Sequence, residues 1–181
     1  AFGVLFALSG AVGPIVGQNF GAGKQDRVKR TYTEALLFTA IVVLVVSAAL
    51  FALRGPIAAL FDATGTARDL VFLFCGPLAL LFFFNGMIFV SNASFNNLGH
   101  PFTSTWVNWG RHTLGTILPV IAFSAWLGAE GVLIGQAVGG IAFGLLSYVL
   151  VQRIMNSDVA TPTPEPFQRH TRLMTLFHHR R

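Results

Sequence analysis

The sequence predicts an all-α fold, a polytopic bundle of transmembrane helices with about five spans. Of its 181 residues, 54% are hydrophobic and only 10% are charged. Soluble domains carry about 25% charged residues, so this chain has too few charges to cover a surface in water. Its apolar residues fall into five stretches. Crossing a bilayer as a helix takes about 20 residues, and each stretch is about that long or longer. Because the basic residues cluster between these stretches, the net charge of +5 indicates membrane topology and not nucleic-acid binding.

Turn residues and charges separate the five apolar stretches, which we assign as spans. Arg54, Gly55 and Pro56 are expected to end the second helix. Pro77 predicts a kink in the third span, which is long enough to tilt, and the segment from Leu127 to Gly131 predicts a tight turn before the fifth. The predicted spans are residues 2–18, 31–53, 67–97, 103–126 and 132–151, within a helical bundle of residues 1–155.

The two ends of the chain carry different signals. Ala1 begins within an apolar block, without an initiator Met or a basic region before it, so we expect a longer protein that is truncated at its N-terminus. Residues 156–181 include the run Thr161-Pro162-Thr163-Pro164-Glu165-Pro166, which cannot form a regular helix. We expect this segment to be a basic, Pro-rich cytoplasmic tail that is extended or disordered.

The connection between the first two spans is rich in glycine and then basic. Gly13, Gly17 and Gly21 recur every four residues, which on a helix places them on one face and lets a neighbouring helix approach closely. Pro14 interrupts the backbone ladder, as membrane helices tolerate where neighbours satisfy the freed groups. Gly21 and Gly23 provide the positive φ angles that end a helix.

The distribution of basic residues predicts the orientation of the chain. The connection after Gly23 contains Lys24, Arg27, Lys29 and Arg30. If it is cytoplasmic, Arg111, Arg153 and the tail also lie on the cytoplasmic side, while the other side keeps Arg54 and Arg68, offset by acids. We therefore expect a multi-pass protein of the bacterial cytoplasmic (inner) membrane, with its basic loops and tail inside and no charge deep in a span.

Polar side chains follow one face of the third span. Asn85, Asn92 and Asn96 are separated by seven and four residues, which on a helix places them nearly in line. In lipid their amides would lack partners, so the face is expected to contact protein or a water-filled cavity. Two interpretations stay open: the asparagines form interhelical hydrogen bonds, or they line a cavity that contacts substrate. Gln136 in the fifth span is expected to form an interhelical hydrogen bond.

The sequence offers no set of catalytic residues. It has no paired carboxylates, HExxH motif, phosphate-binding loop or Cys/His spacing for a metal. A single cysteine, Cys75, excludes an internal disulfide. We therefore expect neither an enzyme, nor a bound metal, nor a cofactor.

Two segments resemble those of a known transporter family. The run from Gly13 to Gly23 contains Gly17-Gln18-Asn19-Phe20-Gly21-Ala22-Gly23, followed by bases, and is similar to the helix-end signature of multidrug and toxic compound extrusion (MATE) transporters. The later Gly99-His100-Pro101 resembles the turn after their tenth helix. On this resemblance the five spans match helices eight to twelve, in the C-terminal lobe.

The resemblance implies a secondary antiporter of twelve helices in two bundles. Such a protein exports cationic or amphiphilic drugs in exchange for Na⁺ or H⁺ by alternating access. Its partners would be membrane lipid, these small molecules and the N-terminal lobe of the same protein. Some members carry an acid on the tenth helix where this chain has Asn85. Because an amide does not exchange protons at physiological pH, we expect the coupling-ion site outside this chain.

Two alternatives to a drug exporter are left open by the sequence. A related flippase for a lipid-linked or polysaccharide precursor shares this architecture, but it would favour a strongly basic cavity for a pyrophosphate group. The other alternative is an inactive, truncated membrane fragment.

Overall fold

The computed structural model describes residues 2–157, which are helical apart from short turns. The all-α prediction is therefore confirmed for this part of the chain. Two π-helical turns, Phe74–Leu78 and Thr113–Ile117, interrupt the longer helices. The helices are α1 Phe2–Gly21, α2 Gln25–Leu60, α3 Thr66–Leu73, α4 Ala79–Asn97, α5 Pro101–His112 and α6 Leu118–Asn156.

Four helical stretches are long and apolar enough to cross a membrane. The last of them is 56 residues long and reverses direction at Gly128, where φ is 58° and ψ is −131°. Helix α6 therefore has a first limb, residues 118–127, and a second limb, residues 129–156. With this reversal, the chain passes through the bundle five times. The stretches are Gly3–Gly21, Gln25–Leu60, Thr66–Asn97 and Pro101–Asn156.

The second limb of α6 packs tightly against the helix that precedes it. A Cβ atom on Gly135 would lie 2.7 Å from the carbonyl oxygen of Pro119, and one on Gly139 would overlap the carbonyl group of Gly115. These pairs run antiparallel, as expected for a helical hairpin. Gly135 and Gly139 thus permit this close helix packing, since any side chain would force the two backbones apart.

Helix α4 lies at the centre of the bundle and packs against α1, α2, α5 and α6. The buried hydroxyl groups of Tyr32 on α2 and Ser91 on α4 share a hydrogen bond of 2.9 Å. Ser9 on α1 donates to the carbonyl oxygen of Phe89 at 3.1 Å. Phe95 is fully buried in the same core. Both polar contacts and apolar packing thus fix the position of α4. The helices around α4 are therefore the ones that its polar face can contact.

The prolines have different effects in the second and third of these helical stretches. Pro77 lies in the first π-helical turn, where Gly76 leaves helical geometry with φ −97° and ψ −116°, so the predicted kink is confirmed. The prediction that Arg54 to Pro56 end the second helix is wrong, because α2 continues to Leu60. Proline fixes a helical φ and loses one hydrogen bond, which water can replace near the end of a helix about 54 Å long.

All five predicted spans lie within the described residues. The proposed tail, residues 156–181, lies outside them except for Asn156 and Ser157.

Candidate functional site

A cavity of about 280 Å³ lies between α4, the second limb of α6 and the π-helical turn Phe74–Leu78. Most of its wall is apolar, and its polar side chains are Asn85, Arg111 and Gln136. A larger cavity of about 650 Å³ has only apolar side chains and the thiol of Cys75 in its wall. The smaller cavity can therefore orient a polar solute, as binding sites with a few polar groups in an apolar wall do. The smaller cavity is lined by Phe74, Leu78, Leu81, Phe82, Asn85, Arg111, Leu133, Gln136 and Ala137.

The Arg111 guanidinium donates a hydrogen bond through Nη2 to Oδ1 of Asn85. Arg111 lies ten residues after Pro101, about 15 Å along its helix, and Asn85 lies twelve residues before Asn97, about 18 Å along α4. Both side chains thus stand well inside the helical bundle. Because α5 begins at Pro101, Arg111 lies within a helix and not in a connection between helices. The expectations that Arg111 lies on the cytoplasmic side, and that no charge lies deep in a span, stay predictions.

A threonine hydrogen bond and the packing of an aromatic ring against two glycines fix the backbone around Arg111. The Thr116 hydroxyl donates to the carbonyl oxygen of Arg111 at 2.9 Å, within the second π-helical turn. The Phe143 ring of α6 lies against Gly110 and Gly115, where a Cβ atom on Gly110 would be 2.7 Å from the ring. Since the ring occupies the space beside both glycines, α5 and α6 meet closely and fix the position of Arg111.

Asn92 lies in an interhelical hydrogen-bond network. Its Nδ2 donates to Oδ1 of Asn108 at 3.2 Å, and its Oδ1 accepts from the Ser104 hydroxyl at 3.1 Å. Asn108 in turn donates to the carbonyl oxygen of Ser104 at 2.9 Å. This network joins α4 to α5. It agrees with the first of the two interpretations that the sequence left open, in which the asparagines form interhelical hydrogen bonds, and Asn92 does not line the cavity.

Asn96 is exposed near the end of α4, and its neighbour Asn97 makes the closer interhelical contact. A Cβ atom on Gly13 would lie 2.8 Å from Nδ2 of Asn97, and one on Gly17 would lie 2.9 Å from its Oδ1. The Asn97 side chain thus fills the space that the two glycines leave on α1. The four-residue glycine spacing predicted a close neighbour there, but it could not show that this neighbour is an asparagine on α4.

The remaining residues of the glycine-rich segment form the end of α1. Gly23 has a φ of 69°, the Lys24 amide donates to the carbonyl of Asn19 at 2.9 Å, and the Gly23 amide donates to that of Phe20 at 2.9 Å. This pattern is a Schellman motif, which closes a helix. The prediction of a positive φ and a close neighbour at Gly21 is wrong, because Gly21 is still part of α1 and has open space beside it. Pro14 and Gln18 are exposed, and Asn19 Nδ2 donates to the carbonyl of Ile15 at 2.8 Å.

The described residues form no cluster of metal-binding side chains. No set of three His, Cys, Asp or Glu side chains among residues 2–157 could hold a metal ion. The cavity therefore presents amide and guanidinium groups, which bind solutes by hydrogen bonds and charge.

Comparison with known proteins identifies the family. The family model MatE matches residues 1–121. A protein named FAD transporter from Shewanella oneidensis is 27% identical over 161 residues, which are 87% of this chain and 35% of that protein. The chain thus spans about a third of the length of this relative. No solved structure matches the chain. Because the family model covers about two thirds of its residues, the chain belongs to the MatE family of membrane transporters.

Proposed function

We propose that this chain forms part of a secondary active transporter that exports organic solutes across the bacterial cytoplasmic membrane. In this proposal the cavity at Asn85 and Arg111 is part of the solute pathway. Two helical bundles would expose it to each side of the membrane in turn, as in other transporters with a site near the middle of the bilayer. The hydrogen-bonded pair of Asn85 and Arg111, well inside the bundle and open to a cavity, is the observation that carries the proposal.

The size of the cavity supports a shared site. Ligand sites for drug-sized molecules enclose about 300–1,000 Å³. At about 280 Å³, the cavity can hold only part of such a molecule. We infer that the remainder of the solute is bound by parts of the transporter outside this chain, such as the opposite bundle that the family resemblance implies.

The coupling ion is proposed to bind elsewhere. Residues 70–129 contain no Asp or Glu, and Glu130 is exposed at the Gly128 turn. Sites for Na⁺ or H⁺ in membrane transporters generally use a carboxylate. An antiport mechanism therefore requires an acid outside this cavity, in agreement with Asn85 occupying a position where some family members have one.

Two substrate classes are candidates for the cavity. Cationic or amphiphilic drugs follow from the family resemblance, and the apolar wall with its paired Phe74 and Phe82 rings suits an aromatic body. A flavin nucleotide follows from the name of the Shewanella relative, and Arg111 is a suitable group for its phosphates. A single arginine does not make the strongly basic cavity that would favour a lipid-pyrophosphate flippase.

Transport into everted membrane vesicles tests the proposal. Vesicles that contain the native protein are given an imposed Na⁺ or H⁺ gradient, and uptake of tetraphenylphosphonium and of FAD is measured. We expect gradient-dependent uptake of at least one solute. Asn85→Leu should reduce it about tenfold at equal expression, since the Arg111 guanidinium then loses its hydrogen-bond partner. Asn156→Leu, at an exposed position near the end of α6, is the matched control. Absence of gradient-dependent uptake, or full uptake by Asn85→Leu, would overturn the proposal.

A further inference from the structure

We propose that Arg111 and Asn85 form a recognition site for an oxyanion, a phosphate or carboxylate group on an aromatic solute. This inference rests on the proposed function, because it names the substrate class of the same cavity. It differs from the cationic substrates that the family resemblance implies. The argument depends on the charge of Arg111, on the groups that surround it and on the wall of the cavity.

The Arg111 guanidinium has a neutral partner. It donates to the amide oxygen of Asn85, and the structure gives it no carboxylate partner among residues 2–157. Between residues 70 and 129, which include α4 and α5, the sequence has no acid. Glu130 is exposed beside the Gly128 turn. Its neighbour Gly131 packs against the backbone of Phe123 and Ser124, which lies about 20 Å along the helix from Arg111. A charge held inside the bundle with only an amide beside it can still accept an anionic partner.

The pair offers mainly hydrogen-bond donors to the cavity. A guanidinium has five N–H donors and no acceptor, so the bond to Asn85 leaves further donors available. The carbonyl oxygen of Asn85 is engaged by Arg111, while its amide group carries two N–H donors. Gly140 lies beside this amide, and a Cβ atom there would be 3.6 Å from Nδ2 of Asn85. A phosphate or carboxylate accepts several hydrogen bonds at once and matches this arrangement.

The rest of the cavity selects an apolar or aromatic body. The rings of Phe74 and Phe82 meet edge to face, with centroids 6.2 Å apart, in the wall that continues from Asn85. Leu81, Leu133 and Ala137 complete this apolar surface. A solute with its oxyanion at Arg111 would place an attached ring against these side chains. The structure thus supports an aromatic oxyanion over an organic cation, which the guanidinium would repel.

Paired ligands that share a ring system, one with an anionic group and one without, test this inference. Riboflavin 5′-phosphate and riboflavin share one ring system, as do 2-naphthoate and 2-naphthamide. Dissociation constants are measured by fluorescence on the native protein in lipid nanodiscs. We expect the anionic member of at least one pair to bind about tenfold more tightly, since hydrogen bonds to charged groups have that strength. A preference in the flavin pair alone indicates phosphate, and a preference in the naphthyl pair alone indicates carboxylate.

Substitutions show whether this preference depends on the proposed residues. In Arg111→Gln the affinity ratio should fall to about one, while Arg153→Gln, at an exposed position of α6, should keep it. Asn85→Asp is a second variant, which places a carboxylate beside the guanidinium. It should raise the melting temperature through the new ion pair and also abolish the preference, because the anion site is then occupied.

The outcomes separate this inference from the proposed function. A ratio near one in both pairs for the native protein, or a preference that both Arg111→Gln and Asn85→Asp retain, would overturn the anion site. The vesicle experiment measures transport independently. If ligand binding shows the charge preference and the vesicles show no gradient-dependent uptake, the anion site stands and the transport proposal falls.

Discussion

Asn85 and Arg111 form a hydrogen bond across α4 and α5, although 26 residues separate them in the sequence. The turn between the two helices makes this possible. Gly99 has a φ of 84°, and the His100 amide donates to the carbonyl of Phe95 at 2.8 Å, so the chain reverses within a few residues. Because the helices are antiparallel, residues at similar distances from this turn meet. The contact brings the charged side chain of α5 to the polar face of α4.

The asparagines of α4 are expected to separate into two functional classes. Asn92→Leu removes the hydrogen bonds to Ser104 and Asn108 and should lower the free energy of unfolding by about 1 kcal/mol, as for other interhelical hydrogen bonds in membranes. Solute affinity should be unchanged, in contrast to Asn85→Leu. Unfolding in mixed detergent micelles and ligand titration check both. Equal losses of affinity in the two variants would contradict the assignment of Asn92 to helix packing.

The close contact in the α6 hairpin predicts a large effect of one methyl group. Gly139→Ala places a Cβ atom on the carbonyl group of Gly115, which as backbone cannot move aside, and should destabilise the protein by about 1–3 kcal/mol. Gly55→Ala in α2 is the matched control, because its Cβ atom would enter open space. That change should be neutral or slightly stabilising. Thermal unfolding measures both, and equal melting temperatures would refute the packing described for Gly139.

The buried hydrogen bond between Tyr32 and Ser91 should contribute to stability only as a pair. Tyr32→Phe leaves the Ser91 hydroxyl without this partner and should cost about 1 kcal/mol. Adding Ser91→Ala to Tyr32→Phe should cost little more, since the second group no longer has a partner to lose. A double-mutant cycle on the unfolding free energy tests this coupling. Additive losses would show that the two hydroxyl groups act independently.

The contact between α1 and α4 predicts that a smaller side chain at residue 97 restores the stability lost through a larger one at residue 17. Gly17→Ala directs a Cβ atom at Oδ1 of Asn97 and should lower the melting temperature, while Asn97→Ala opens the space and should relieve the crowding in the double variant. Gly21→Ala is the control on the same face, where the structure has open space. A double variant that is less stable than both single variants would contradict this pairing.

The sequence predicts the helices better than their contacts. Length and hydropathy are local properties, so they identify the helices of the bundle. Proline and turn residues are local signals as well, and they identify the kink at Pro77 and the reversal near Gly128. Contacts between helices depend on the packing of the whole bundle, and for this reason the sequence could not assign Asn97 to the glycines of α1. The continuation of α2 through Pro56 was also missed, because one lost hydrogen bond is a small cost in a long helix.

The candidate site was predicted only in part. The polar periodicity of α4 pointed to Asn85, Asn92 and Asn96 together. Only the structure separates Asn85 in the cavity wall from Asn92 in the interhelical network and from Asn96 at an exposed position. Arg111 was missed because basic residues were assigned to the ends of spans. Its distance from Pro101 is the signal that could have placed it inside the bundle, since proline is favoured at the first position of a helix.

Cysteine protection at Ala137 tests the central claim, that the cavity beside Asn85 and Arg111 belongs to the solute pathway. In a Cys75→Ala background, Ala137→Cys places a thiol in the cavity wall, and Thr64→Cys, at an exposed turn, is the control. The rate of alkylation by N-ethylmaleimide is measured in vesicles, with and without whichever of tetraphenylphosphonium and FAD they take up. We predict that a saturating concentration slows alkylation of Ala137→Cys several-fold and leaves Thr64→Cys unaffected. Unchanged alkylation at Ala137→Cys, with a solute that the same vesicles transport, would contradict the account.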